Sequence, residues 1–108
     1  MNYEILTIPP FDRQLKRLAK KYSSLKEEYA LLLQDLSENP VQGTPLGNNC
    51  YKIRLSIASK GKGKSGGARI ITNVFVSKEK VFLLSIYDKN EQENISDREL
   101  RLLLSEIE

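Results

Sequence analysis

Histidine is absent from this chain and Cys50 is its single cysteine. Imidazole catalysis and most transition-metal sites are thereby excluded, as are an internal disulfide and any cysteine-based metal cluster. Neither a metal nor a cofactor is expected, and any chemistry must use Lys, Arg, Tyr, Ser or carboxylates. No apolar run approaches the roughly 20 residues of a membrane-spanning helix. The opening Met1-Asn2-Tyr3-Glu4-Ile5 lacks the basic region and apolar core of a secretory signal, so the chain is expected in the cytoplasm, with no membrane partner. Acidic residues are also missing from one long stretch: between Asn39 and Lys78 there is no Asp or Glu.

That stretch carries Lys52, Arg54, Lys60, Lys62, Lys64, Arg69 and Lys78, a charge of +7, whereas the rest of the chain has 10 basic and 14 acidic residues. A formal net charge of +3 therefore conceals a polarised molecule. Concentrated positive charge implies a polyanionic partner such as RNA, DNA or an acidic protein. With 108 residues, 40% hydrophobic and 29% charged, the chain is expected to form one domain with one modest core.

Residues 2 to 8 are β-leaning and read as a first strand closed by Pro9-Pro10. Phe11, Leu15, Leu18 and Tyr22 then fall on one helical stripe, leaving Arg13, Lys16, Arg17, Lys20 and Lys21 on the remaining surface. Singly these bases read as a solvated helix face; as a group they are candidates for nucleic-acid contact. Ser24-Leu25-Lys26-Glu27 has the pattern of a capping box and predicts a second helix, which Asn39-Pro40 stops. Val41 to Asn49 reads as a loop. Tyr51 to Ile57 alternates in polarity and predicts a strand with Lys52 and Arg54 on its outer face. Arg69 to Val76 and Val81 to Tyr87 predict a hairpin of two more strands, and a second Ser-x-x-Glu pattern at Ser96 opens a short terminal helix.

The predicted order is β-α-α-β-β-β-α: an α+β fold with an antiparallel sheet whose apolar face is covered by the helices. Parity then sets Ile53, Leu55, Ile70, Val74, Phe82, Leu84 and Ile86 toward the helices. Lys52, Arg54, Arg69, Asn73, Ser85 and Tyr87 fall on the other side, as a cationic groove with one phenol.

Gly61-Lys62-Gly63-Lys64-Ser65 invites comparison with a nucleotide-binding phosphate loop. The motif's first Gly position is Ala58, however, and a β-run replaces the required helix. A surface loop whose Lys60, Lys62 and Lys64 clamp a phosphate backbone fits better. Cleavage of RNA would need a base for the 2′-hydroxyl, an acid for the leaving 5′-oxygen, and cations around the phosphate. Lys52, Arg54, Arg69 and Lys89 supply the charge. Tyr87 can act as an acid unaided, but as a base only if nearby cations favour its ionised form. The loop is expected to bind and the strands to react.

Three segments together resemble the RelE superfamily of bacterial toxins. They are Cys50-Tyr51-Lys52-Ile53-Arg54-Leu55, Gly61 to Ile71, and Leu83-Leu84-Ser85-Ile86-Tyr87-Asp88-Lys89-Asn90-Glu91. The Gly-Lys loop and the Tyr-x-Lys-Asn-Glu ending are most similar to its HigB branch. The resemblance implies a ribosome-dependent mRNA endonuclease of a type II toxin-antitoxin system, cutting in the ribosomal A site without metal by 2′-hydroxyl attack. It further implies a cognate antitoxin, a small helix-turn-helix protein, in a complex that binds its own operator DNA. By the same resemblance Lys52 and Arg54 match a basic pair, Arg69 a phosphate-stabilising arginine and Lys89 a later cation. RelE carries its functional tyrosine nearer the C-terminus; here no tyrosine stands near Ile95 or Ser96, and Tyr87 takes the role. Two rivals stay open: a ParE-like gyrase inhibitor of the same fold, and a basic binding module without chemistry.

Overall fold

The computed structural model describes residues 2–61 and 66–107. Strand β1 (Glu4–Thr7) leads into α1 (Pro9–Lys21) and α2 (Leu25–Glu38). Then come β2 (Thr44–Gly47), β3 (Cys50–Leu55), a 3-10 turn (Ala58–Lys60), β4 (Ala68–Phe75), a further 3-10 turn (Val76–Lys78), β5 (Lys80–Asp88) and α3 (Asp97–Leu104). The fold class is the expected α+β, with a five-stranded sheet in the order β1-β5-β4-β3-β2.

Pro9 and Pro10 do more than end the strand. They occupy the first turn of α1, where a missing N–H costs nothing. Phe11 and Leu18 of α1 are buried, so the apolar stripe read from spacing is the face that packs, and α2 buries Leu25, Leu32 and Leu36. The capping box at Ser24 does not form. Ser24 has helical backbone angles, and its hydroxyl instead donates to Glu28 at 3.1 Å and accepts from the Ser59 hydroxyl at 2.9 Å. The box at Ser96 forms in its first half, with Ser96 Oγ accepting from the Glu99 amide at 3.1 Å.

Two features depart from the expected sheet. Thr44–Gly47, read as loop, is an edge strand paired with β3 through the turn Asn48-Asn49. Both turn residues have positive φ (54° and 60°), the geometry of a type I′ hairpin that asparagine tolerates. Pro45 hides the strand from a sequence reading, yet at an edge one missing donor is harmless. The sheet is also mixed, because β1 pairs with β5 in parallel.

A bulge refines the parity. Ile71 faces Ser85 but the next residue, Thr72, faces Leu83, leaving Leu84 without a partner on β4. The shift moves Phe82 opposite Asn73, onto the side of Arg69 and away from the side expected for it, while Val81 and Leu83 turn to the helical hairpin and are fully buried. The terminal helix does not join the hairpin either. Leu104 and Ile107 share a cavity with Asn73 and Phe75 on the opposite face, so the C-terminal segment packs toward that end of it. No described helix is long and apolar enough to cross a membrane.

Candidate functional site

The ladder registers bring the expected side chains together. Arg54 pairs with Arg69 and Arg69 with Tyr87, so these three form one rung across β3, β4 and β5. Neighbouring residues of a rung have Cα atoms about 5 Å apart, so the three side chains stand side by side on one face of the sheet, with Tyr87 itself outside the lining of the cavity that the two arginines share. Lys52 stands one rung away, opposite Ile71. Lys52, Arg54, Arg69 and Lys89 line a cavity of about 230 Å³ together with Glu93 and Asn94. All four cations singled out from the sequence therefore share one depression, although Lys89 is 37 residues from Lys52 in the chain.

Arg69 is only 3% exposed, and its guanidinium donates to the Ala68 carbonyl at 3.1 Å. Burial, then Arg54, pull its pKa below the ordinary arginine value, with Tyr87 opposing. Arginine starts so high that it stays a cation at neutral pH. A fixed cation at the floor of a cavity is suited to charge developing on a phosphate. Lys52 Nζ donates to Asn94 Oδ1 at 3.1 Å, which ties β3 to the segment after β5.

Tyr87 is 4% exposed, and its hydroxyl is buried without a hydrogen-bond partner among the described residues. Burial pushes the phenol above its ordinary value; Arg69 pulls it down and Glu99 pushes it up. Burial outweighs the cation, so the phenol stays protonated at neutral pH.

Asp88, next in the chain, holds the end of β5 in place. Its carboxylate accepts from Lys60 Nζ at 2.6 Å, from the Tyr22 hydroxyl at 2.6 Å and from the Asn90 amide at 2.9 Å. Burial alone would raise its pKa; Lys60, Tyr22 and Asn90 together lower it to about 2. Lys60 Nζ also sits 5.3 Å from the Tyr22 ring centroid. Lys60, expected from the sequence to contact RNA, has a side chain that is 4% exposed and engaged in a buried ion pair. The other loop lysines, Lys62 and Lys64, lie outside the described residues. Gly67, which follows the loop, cannot be replaced cheaply, because a Cβ there would collide with the Leu55 carbonyl oxygen. Its own carbonyl accepts the Lys89 amide at 3.1 Å, fixing Lys89 beside the start of β4.

On α1, Arg13, Lys16, Arg17, Lys20 and Lys21 border one shallow, open depression. Arg17 is bonded through both terminal nitrogens to Glu91, at 3.0 and 3.3 Å, so this basic helix face adjoins the segment that walls the cavity. Glu93, Asn94 and the Asp88 node escaped the sequence reading. The run Asp88 to Glu91 sits in one of the segments quoted above, but nothing in its composition signals which of its charges are buried.

The family model described as the RelE toxin of the RelE / RelB toxin-antitoxin system matches residues 11–106. Among solved structures, the chain is similar to E. coli toxin RelE, seen as a double arginine-to-alanine variant in the free state. The TM-score is 0.60 at 25% identity, over 98% of this chain and 94% of that one. The same variant in complex with a peptide of its antitoxin RelB gives 0.54 at 26% identity, covering 90% and 98%. The toxin-antitoxin complex RelBE2 from Mycobacterium tuberculosis shares the fold, with a TM-score of 0.58 at 20% identity over 82% and 99%. With 96 of its 108 residues spanned by that model, over a matching fold, the chain belongs to the RelE toxin family.

Proposed function

We propose that this chain is the toxin of a type II toxin-antitoxin pair and an endoribonuclease that cuts mRNA in the ribosomal A site. The observation that carries this reading is the rung Arg54-Arg69-Tyr87, with Lys52 and Lys89 in the adjoining cavity. A proton donor next to a fixed cation is a pairing that RNA cleavage can use and that gyrase inhibition or plain binding does not require. Arg69 holds two oxygens of the scissile phosphate through its planar fork, while Lys52, Arg54 and Lys89 offset the added negative charge. The 2′-hydroxyl attacks the phosphorus, and the Tyr87 hydroxyl gives its proton to the departing 5′-oxygen. The placement of that phenol on β5 is the HigB-like element of the proposal.

The basic face of α1, with Arg13, Lys16, Arg17 and Lys20, and the loop lysines Lys62 and Lys64 grip ribosomal RNA and set the toxin in the A site. Activity is cytoplasmic, where the ribosomes are. A cognate antitoxin silences the toxin by laying an acidic segment on the cationic face, and the joint complex binds its operator DNA. Complementary charge speeds that encounter.

Mapping mRNA ends after a brief pulse of expression tests the reading. Cuts should appear within translated messages while naked RNA stays largely intact. Continued translation with failing DNA supercoiling would replace this function with gyrase inhibition.

A further inference from the structure

The cavity contains four cations, one amide and one carboxylate, and that carboxylate has no evident purpose in gripping a phosphate. We propose that Glu93 is the general base that takes the 2′-hydroxyl proton, an assignment that rests on the cleavage function above. Lys52, Arg54, Arg69 and Lys89 are donors; an asparagine amide such as Asn94 does not take up protons at neutral pH. Tyr87 is held in its protonated form. Residues 62 to 65 are Lys, Gly, Lys and Ser and add no carboxylate. The other acids in the neighbourhood are committed elsewhere. Asp88 is buried under three hydrogen bonds, Glu91 is paired with Arg17, and Glu99 accepts from Gln92 at 3.4 Å outside the cavity lining.

Glu93 is exposed, and the residue after it is anchored: Asn94 accepts from Lys52 through its side chain and from the Gln92 side-chain amide through its carbonyl at 3.0 Å. A base must be positioned to fractions of an ångström, and an anchored neighbour serves that need better than an open loop. Acid and base come from different elements, the phenol from β5 beside Arg69 and the carboxylate from the segment of residues 93 and 94 that lines the cavity. In-line displacement places the attacking and leaving oxygens on opposite sides of the phosphorus.

The step balances. The O2′–P bond forms as the Glu93 carboxylate accepts the 2′-hydroxyl proton; the P–O5′ bond breaks as Tyr87 donates its proton to O5′. The products are a 2′,3′-cyclic phosphate and a 5′-hydroxyl. Glu93 is left protonated and Tyr87 ionised, and proton exchange with solvent restores both.

The test uses the purified full-length chain and translating ribosomes programmed with a defined mRNA, under single-turnover conditions at saturating toxin. Glu93→Gln should bind ribosomes at least as tightly as wild type, because it removes a negative charge from a cationic cavity. Its cleavage rate should fall about 10²- to 10⁴-fold. The acidic limb of the wild-type pH-rate profile should flatten in the variant. Glu93→Asp, one methylene shorter, should retain part of the rate and the acidic limb. Cleavage by Glu93→Gln within about threefold of wild type would overturn the assignment while leaving the endonuclease reading intact. A faster Glu93→Gln would also overturn it and make the carboxylate a repulsive guard. If wild type leaves programmed mRNA uncut and without cyclic phosphate ends, the proposed function itself fails.

Discussion

Replacing Asp88 by Asn should destabilise the protein more than any surface charge change, and the cause is local. Asp88 and Lys60 form an ion pair whose side chains are 1% and 4% exposed, with Tyr22 as a second donor to the carboxylate. Removing one partner of such a pair leaves an uncompensated buried charge, which typically costs about 3–5 kcal/mol. A domain near this size loses roughly 4–8 °C of Tm per kcal/mol, so Asp88→Asn should melt at least about 12 °C below wild type at pH 7. Protonation offers an independent check. The folded-state pKa of Asp88, about 2, lies below its unfolded value, so the contribution is complete above the unfolded value and fades as pH falls through the folded one. Wild type should therefore lose roughly 2 kcal/mol from this group between about pH 4 and pH 2. Asp88→Asn should lack that component. Thermal unfolding followed by circular dichroism across pH 2 to 7 measures both effects. The double variant Lys60→Met/Asp88→Leu, which buries no lone charge, should recover much of the loss. If Asp88→Asn melts within about 4 °C of wild type at pH 7, corresponding to under about 1 kcal/mol, the buried-pair argument is wrong.

Three further predictions concern the cationic face. Arg69→Lys should cleave nearly as poorly as Arg69→Ala, each about 10²- to 10³-fold down, because lysine cannot hold two phosphate oxygens in one plane. Full activity in Arg69→Lys would remove the bidentate role. Tyr87→Phe should lose single-turnover cleavage, keep ribosome binding, and melt about as high as wild type or higher, since the deleted hydroxyl is buried without a partner. A wild-type cleavage rate would make the phenol structural. Changing Arg13, Lys16 and Lys20 together to Ala should weaken ribosome association and reduce its salt dependence by roughly one unit of slope per lost phosphate contact, with the rate at saturating toxin preserved. An unchanged slope would mean that the α1 face is solvated only.

Lys60 and Phe82 show where a sequence reading stops. By composition Lys60 is one of three lysines in a Gly-rich run, and nothing local separates it from Lys62. It differs because Asp88, 28 positions away, and Tyr22, from the end of α1, converge on its ammonium. The Phe82 assignment failed for a related reason. Alternation fixes sides only along an unbroken ladder, and one unpaired residue at Leu84 reverses parity for everything beyond it. Ser24 adds a third case, its capping role lost because Ser59 offers its hydroxyl a tertiary partner.

The sequence by itself determined which segments are helical, which faces are apolar, and that Lys52, Arg54, Arg69 and Tyr87 would share one side of a sheet. These are properties of spacing, and periods of 3.6 and 2 are set by backbone geometry whatever the rest of the chain does. Tertiary structure alone decided which charges are available. It sealed Lys60 against Asp88, and it buried Tyr87 deeply enough to hold its proton against the pull of Arg69. It also brought Glu93 into one cavity with Lys52, Arg54 and Arg69, which lie 24 or more residues away in the chain. Desolvation and pairing depend on everything packed around a group, and a linear pattern does not record those neighbours.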